Sequence, residues 1–504
     1  MPAYKTIAFL LIALTGPVSC SFSLGSSSFD ASTPPSGQSE TTSDTSYSSY
    51  ETTDADYDIF FAPTTKIRIE LTITQDNLSL VQEYGLSDDE RTEIYLPASI
   101  LIQVTATDYQ RDYYFDEIGV RMKGNTSRDD FVIDGDIYNL THYKVSFDEF
   151  VEDQRFLGME KFDLKWNRNL DHTNMRLPYA YKMFQHFIGM ASGATLASFD
   201  ITQIDSHRTE TTHMGVYNVI EAIDKRLIKR FYDGDDDEGN LYKVTYNNRG
   251  PADFLMAGAV TQSGSNFSAI PGGKIGIEDM AVNYTPSYDL KTNKKTPDYS
   301  DMATLIGRLN STTDYDSSTM AELLEEMIDL DRFLLLEAVA YFMGNPDDMR
   351  NNYNNAYVYF VPSNGKAVFM PYDFDRAFGV NGDWDPTGNS MTEVGPYSDY
   401  AEGYGGDKYN VNPLYRATVM ATAHPDLRSQ YSAYLQDVYE SEWLDYDLFS
   451  TMYNQYKTNY VDDVVPDNGM TYVHFTRSET VLDNWTMANY LSAKIDTARE
   501  ALGL

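Results

Sequence analysis

GNPDDMRNNYNNAYVYFVPSNGKAVFMPYDFDRAFG, Gly344–Gly379, is the most informative segment of this 504-residue chain. It follows an apolar helical pattern over Asp331 to Met343 that Gly344 stops. It then crosses a strand pair, Ala356 to Phe360 and Ala367 to Met370, and ends with two acids ahead of Phe378-Gly379. Phosphoryl transfer needs a carboxylate to accept the acceptor hydroxyl's proton, plus a carboxylate and an amide oxygen to hold magnesium on the phosphates. Asp347, then Asn352 five residues on, then Asp373 beyond the strand pair supply those groups in the order of a kinase catalytic loop and metal loop. Asp and Asn also populate turns for purely local reasons, so this spacing by itself leaves a solvated-turn reading open.

Outward from that segment, the period of the apolar residues changes along the chain. Lys66 to Thr74 (KIRIELTIT) and Ser99 to Thr107 (SILIQVTAT) alternate with period two, which marks half-buried antiparallel strands. Short strands are expected at Ile118 to Met122, Tyr143 to Phe147, Phe162 to Trp166, Phe199 to Ile204 and Met214 to Ile220. Met175, Tyr179, Met183, Phe187 and Met190 recur at helical spacing, so Asn174 to Met190 reads as a helix buried on one face. Lys225 to Phe231 is a further short helix, and residues from about 251 to 300, rich in Gly, Ser, Pro and Asn, read as an insertion. The C-terminal part is helical at Ala417 to Ala423, Pro425 to Tyr439, Phe449 to Tyr460 and Val481 to Ala501. A strand-rich front and a helical back make an α+β chain, with one large domain over residues 63–504.

The N-terminus reads as an address. Lys5 precedes the apolar run Thr6 to Thr15 and the small residues up to Cys20, so residues 1–20 are expected to be a secretory signal too short to span a bilayer. Cys20 stands where a bacterial lipoprotein is cleaved and acylated, although Pro17 replaces the usual Leu. Residues 21–62 are dominated by Ser, Thr and Asp without a single Lys or Arg, the composition of a disordered acidic linker. No later window is apolar enough for a transmembrane helix. With 38 basic against 76 acidic residues the net charge is −38, a field that repels nucleic acid. Cys20 is the single cysteine, so there is no intramolecular disulfide and no Cys-based zinc site. The acidic run Asp233 to Asn240 fails as a calcium loop, because Glu238 stands where Gly is needed.

Several phrases occur in a fixed order: GVRMKGNTS (Gly119–Ser127), YKVSFD (Tyr143–Asp148), MGVYNVIEAIDK (Met214–Lys225), GNLYK (Gly239–Lys243), Asn345-Pro-Asp with Asn351-Asn352, and PYDFDRAFG (Pro371–Gly379). Together with Asn412-Pro413-Leu414 they resemble the spore coat protein H (CotH) kinase family over about residues 66 to 500. The resemblance implies an atypical protein-kinase-like fold and an exported Ser/Thr protein kinase that uses ATP and Mg²⁺ or Mn²⁺. Asp347 would be the catalytic base, Asp373 the principal metal ligand, and Asn352, helped by Asn351, the second. Asp375 would fix the loop through backbone amides. Lys123, Gly124, Asn125 and Ser127 would form the turn over the phosphates, Gly124 permitting close backbone approach.

Lys144 is the first choice for the nucleotide lysine by order along the chain, and Lys165 the second. The helix from Asn174 to Met190 contains no Glu to pair with such a lysine, so another acid, Glu221, is considered for that role. The partners expected are ATP and a Ser/Thr-containing protein, at a secreted or cell-surface location. The competing reading is a non-catalytic surface or adhesion protein on the same scaffold.

Overall fold

The computed structural model describes residues 54–86, 93–124, 128, 133–134, 137–138, 140–167, 171–256, 273–380, 385–398, 412–465 and 486–504. The expected signal, Cys20 and most of the expected linker lie outside them. The linker's end does not: Asp54–Phe61 forms helix α1, which buries Phe60 and Phe61 completely or nearly so. Phe60 meets Phe61 and Phe156 edge to face, so an aromatic pair supplies the apolar area that the acidic composition around it lacks.

Seven strands close into a barrel: β1 (Lys66–Thr74), β2 (Leu96–Ala106), β3 (Tyr109–Lys123), β4 (His142–Ser146), β5 (Lys161–Trp166), β6 (Ala194–Ile204) and β7 (Thr209–Glu221), in the order β1-β2-β3-β4-β5-β7-β6. The short strand expected at Ile118 is the end of the 15-residue β3, which pairs with β2 from Tyr109 to Val120. Alternation in β1 turns Ile67, Ile69, Leu71 and Ile73 into the barrel, where they are at most 2% exposed. Phe115, Phe147, Phe156 and Phe162 pack there ring against ring. Closure is a parallel pairing, Ile69 opposite Phe199. Tyr460 seals that seam: its hydroxyl donates to the Leu196 and Thr65 carbonyls and accepts from the Ile67 amide at 2.8 Å.

Helix α2 (Gln75–Leu86) lies in the β1–β2 connection, and α3 (Arg176–Ile188) follows β5. A second sheet runs β9-β10-β8-β11-β12, from β8 (Leu241–Val244), β9 (Ile275–Gly276), β10 (Tyr288–Leu290), β11 (Ala356–Phe360) and β12 (Ala367–Pro371). Two of its strands come from the segment expected to be an insertion; residues 257–272 of that segment are outside the described residues. The sheet connects to the barrel through α4 (Lys225–Phe231), capped by the Asp224 carboxylate.

Helices α5 (Ser300–Leu309), α6 (Ser318–Met327), α7 (Leu330–Met343), α8 (Met349–Asn352), α9 (Pro413–Thr418), α10 (Pro425–Tyr439), α11 (Tyr446–Tyr460) and α12 (Met487–Leu502) complete the α+β chain. The helix expected from Ala417 instead ends at Thr418, because Asn412 caps its start and Pro413 begins its first turn. α7 is buried on nearly every face and packs against α3, α10 and β12. Its end, Gly344 at φ 56°, turns the chain into the polar segment quoted first. Among the described residues no helix is long and apolar enough to cross a membrane.

Candidate active site

Two loops carry the expected acids. The first leaves α7 and enters α8, which Asp348 caps through the Asn351 amide at 2.7 Å. The second leaves β12, where Asp373 takes the left-handed backbone conformation at φ 58°, a region that Asp tolerates better than most residues. Asn345, only 2% exposed, ties the loops together. Its Nδ2 donates to the Asp373 carbonyl at 2.9 Å, and its Oδ1 accepts from the Asp347 amide at 3.0 Å. The Asp373 amide in turn donates to the Tyr181 hydroxyl of α3, and Phe374 packs on Tyr181 and Phe184 of that helix.

The Asp347 carboxylate is held by three side-chain amides. Asn352 and Asn354 donate to its Oδ1 at 2.6 and 3.0 Å, and Asn355 to its Oδ2 at 3.2 Å. Burial raises its pKa, the Asn352 and Asn354 amides counter that, and the charges of Asp375 and Asp373 raise it again. A carboxylate so placed is orientated and made more basic than a solvated one. Burial also pushes the neighbouring Asp348 up to about 7. With its Nδ2 given to Asp347, Asn352 keeps Oδ1 as an acceptor. Asn351 is used differently: it is buried, and its side chain donates to the Asn345 carbonyl at 3.1 Å.

Three lysines meet the acids from the outer face of the barrel. Along β5 the alternation places Phe162, Leu164 and Trp166 inside and Asp163 and Lys165 on the opposite face, yet both of these polar residues are buried as well. Lys165 reaches Asp373 Oδ1 at 2.5 Å and Asp375 Oδ2 at 3.3 Å. Burial opposes the charge on Lys165, but these two carboxylates hold its pKa above the usual lysine value. Burial likewise opposes the charge on Asp373, and Lys165 keeps that carboxyl below its ordinary range; Asp375 is raised by burial and by Asp373. Lys123 of β3 is in direct contact with Asp163 and donates to the Tyr372 hydroxyl at 2.6 Å. Lys144 of β4 stands 3.7 Å from the other Asp163 oxygen. Burial lowers Lys123 to about 7, while Lys123 and Lys144 overcome burial to hold Asp163 near 2.

Of the two candidate nucleotide lysines, Lys165 touches the acidic pair, whereas Lys144 stands beside Asp163. The Glu221 carboxylate contacts Arg230 and accepts from the Tyr57 hydroxyl at 2.6 Å. Gly124 adopts φ 113°, a conformation that favours glycine, while Asn125 and Ser127 lie outside the described residues. Asn345, Asn354, Asn355, Asp163, Tyr181 and Tyr372 were not singled out from the sequence. A run of four Asn in five positions, 351 to 355, was the signal for two of them.

Among the described residues no group of three or more His, Cys, Asp or Glu could hold a metal, so a cation here would rest on Asp373, Asp375, the Asn352 amide oxygen and the ligand's own oxygens. One or two carboxylates plus substrate phosphates is the usual magnesium environment.

Compared with known proteins, residues 120–490 match the family model described as CotH kinase protein. That covers well over half of the chain, and the chain belongs to this family. It is 32% identical over 180 residues to Invasin CotH3 of Rhizopus delemar, a match covering 35% of this chain and 28% of that protein. The chain thus spans under a third of that relative's length.

Proposed function

We propose that this member of the CotH kinase family is an exported, Mg-ATP-dependent protein kinase that phosphorylates hydroxyl side chains of surface or extracellular proteins. The observation that carries this reading is the joining of Asp347 and Asp373 through Asn345, with Asn352 beside Asp347. Asp347 accepts the proton of the acceptor hydroxyl; its three amide donors aim the carboxylate. Asp373, with Asn352, would hold Mg²⁺ or Mn²⁺, which when bound would supply positive charge to offset that of the phosphates. Lys123 binds phosphate oxygens, as does Lys165 once a cation takes its place on Asp373; Gly124 brings backbone close to them, and the barrel corresponds to a kinase nucleotide lobe.

The test is transfer of labelled phosphate from ATP to a Ser-rich acceptor or to the protein itself. Loss in Asp347→Asn and Asp373→Asn, with both variants folded, is expected. Undiminished labelling in both would remove these roles. A surface-adhesion role is the second reading, supported by the name of the invasin relative. Thermal stabilisation by ATP with Mg²⁺ separates the two, because only a protein that binds the nucleotide is stabilised by it.

A further inference from the structure

Residues 385–398, downstream of the Asp373 loop, form no helix or strand, yet side chains from elsewhere hold them in place. Ser390 and Met391 both take the left-handed backbone conformation, at φ 54° and 65°, a strained region that persists only where the surroundings enforce it. The Asp385 carboxylate accepts from the Ser390 amide at 2.8 Å, and Thr387 Oγ1 accepts from the Met391 amide at 3.0 Å. The carbonyls are held from outside the segment. Lys494 of α12 donates to the Met391 and Val394 carbonyls at 2.8 and 3.2 Å, and Thr497, three residues on, donates to that of Thr392 at 2.8 Å.

The strained residue abuts the Asp347 loop. That loop opens at Gly344, where a Cβ would run into the Met391 Cβ and the Tyr490 hydroxyl. Tyr490 of α12 also donates to the Phe342 carbonyl at 3.2 Å and meets Phe378, beyond Asp373, edge to face. Lys494 lies one helical turn further on, 1% exposed, with its ammonium 3.9 Å from the centre of the Tyr341 ring. Among the described residues it forms no ion pair with a carboxylate. Burial holds its pKa well below the ordinary lysine value, Arg350 lowers it further and Asp348 opposes them. A methionine would fill the same space without the desolvation cost of an ammonium; it lacks the N–H groups that two carbonyls need. The match to the family model ends at residue 490, so Lys494 and Thr497 lie outside it.

We propose that Lys494 is a positioning residue: by holding the Met391 and Val394 carbonyls it seats Met391 against Gly344 and so fixes the loop that carries Asp347. Its effect on phosphoryl transfer rests on the kinase reading above, and hydrogen exchange separates the two. The whole protein and its Lys494→Met and Thr497→Val variants are compared by exchange of peptides spanning residues 344–355, by melting temperature, and by transfer of labelled phosphate to a Ser-rich acceptor at varied ATP. Lys494→Met raises exchange in that loop about tenfold, the size of one hydrogen bond to a charged group, while barrel peptides exchange as in the parent. Its kcat falls by a similar factor with KM for ATP unchanged. Its melting temperature stays near the parent's, because losing a buried ammonium offsets the lost hydrogen bonds. Thr497→Val, nearly isosteric, moves loop exchange and kcat in the same directions by about twofold.

Parent-like loop exchange in both variants overturns the proposal, as does raised loop exchange with a parent-like kcat. Exchange raised equally in loop and barrel overturns it too, since that marks a residue of general stability. A parent protein that transfers no phosphate refutes the kinase reading; raised exchange confined to the loop in Lys494→Met then still upholds the positioning of Asp347, and its absence refutes both.

Discussion

Lys165→Met tests the acidic pair directly. Lys165 is 6% exposed and bridges Asp373 and Asp375, which are 23% and 30% exposed. Removing one partner of a fully buried ion pair costs about 3–5 kcal/mol, since it leaves uncompensated charge. The partial exposure of the two carboxylates reduces that here to roughly 2–3 kcal/mol. Without the ammonium burial is no longer opposed by Lys165 and raises both carboxyls, so the variant's stability falls further as pH rises through those raised values. The substitution also vacates the position of a cation beside Asp373. Mg²⁺ at about fifty times its Kd then contributes roughly 2 kcal/mol, and it stabilises Lys165→Met more than the parent, where the ammonium competes. The assay is urea denaturation at pH 7 with EDTA and with millimolar Mg²⁺. A loss below about 1 kcal/mol in EDTA, or equal Mg²⁺ stabilisation of parent and variant, would refute the reasoning that Asp373 and Asp375 form a cation site occupied by Lys165.

Asn354→Ala removes one amide donor from Asp347, so its carboxyl titrates higher and the acidic limb of the pH–rate profile moves up by about half a unit to one unit, with kcat affected more than KM. His213 is held between two acceptors, Asp200 Oδ1 at its Nδ1 and the Asp463 carbonyl at its Nε2, each at 2.7 Å; both contacts require the imidazolium. The Asp200 hydrogen bond raises its pKa despite burial, so its stabilisation is complete below about 6.5 and is lost as pH rises through the higher folded-state value. His213→Gln should flatten that part of the stability–pH curve in chemical denaturation. Tyr460→Phe leaves the Ile67 amide and two carbonyls short of a partner, which costs about 1–3 kcal/mol in the same assay.

Where local pattern and tertiary role coincide, the architecture was legible. Period-two alternation located β1 and β2, and Gly344 located the end of α7. Asp347 and Asp373 were picked out because a loop chemistry asks for acids in that order, and the fold joins their loops through Asn345. The lysines were another matter. Lys123, Lys144 and Lys165 all sit on barrel strands as polar residues of an alternating pattern, and such residues read as solvated. Only the docking of the second sheet buries them, and which one meets Asp373 depends on inter-sheet geometry that no local pattern carries. The partner of Glu221 was hidden for the same reason: Arg230, nine residues on in α4, reaches back to it. The strands at Ile275 and Tyr288 are too short, at two and three residues, to show a period.

The phenol of Tyr460 has a consequence for how the polypeptide matures. The barrel's closing partners, β1 and β6, are about 130 residues apart, and the group that locks them together emerges some 260 residues later still. An N-terminal fragment ending before α11 would leave that junction with unsatisfied amide and carbonyl groups. The strand-rich half should therefore remain open and protease-sensitive during synthesis, and gain protection only when the last helices arrive.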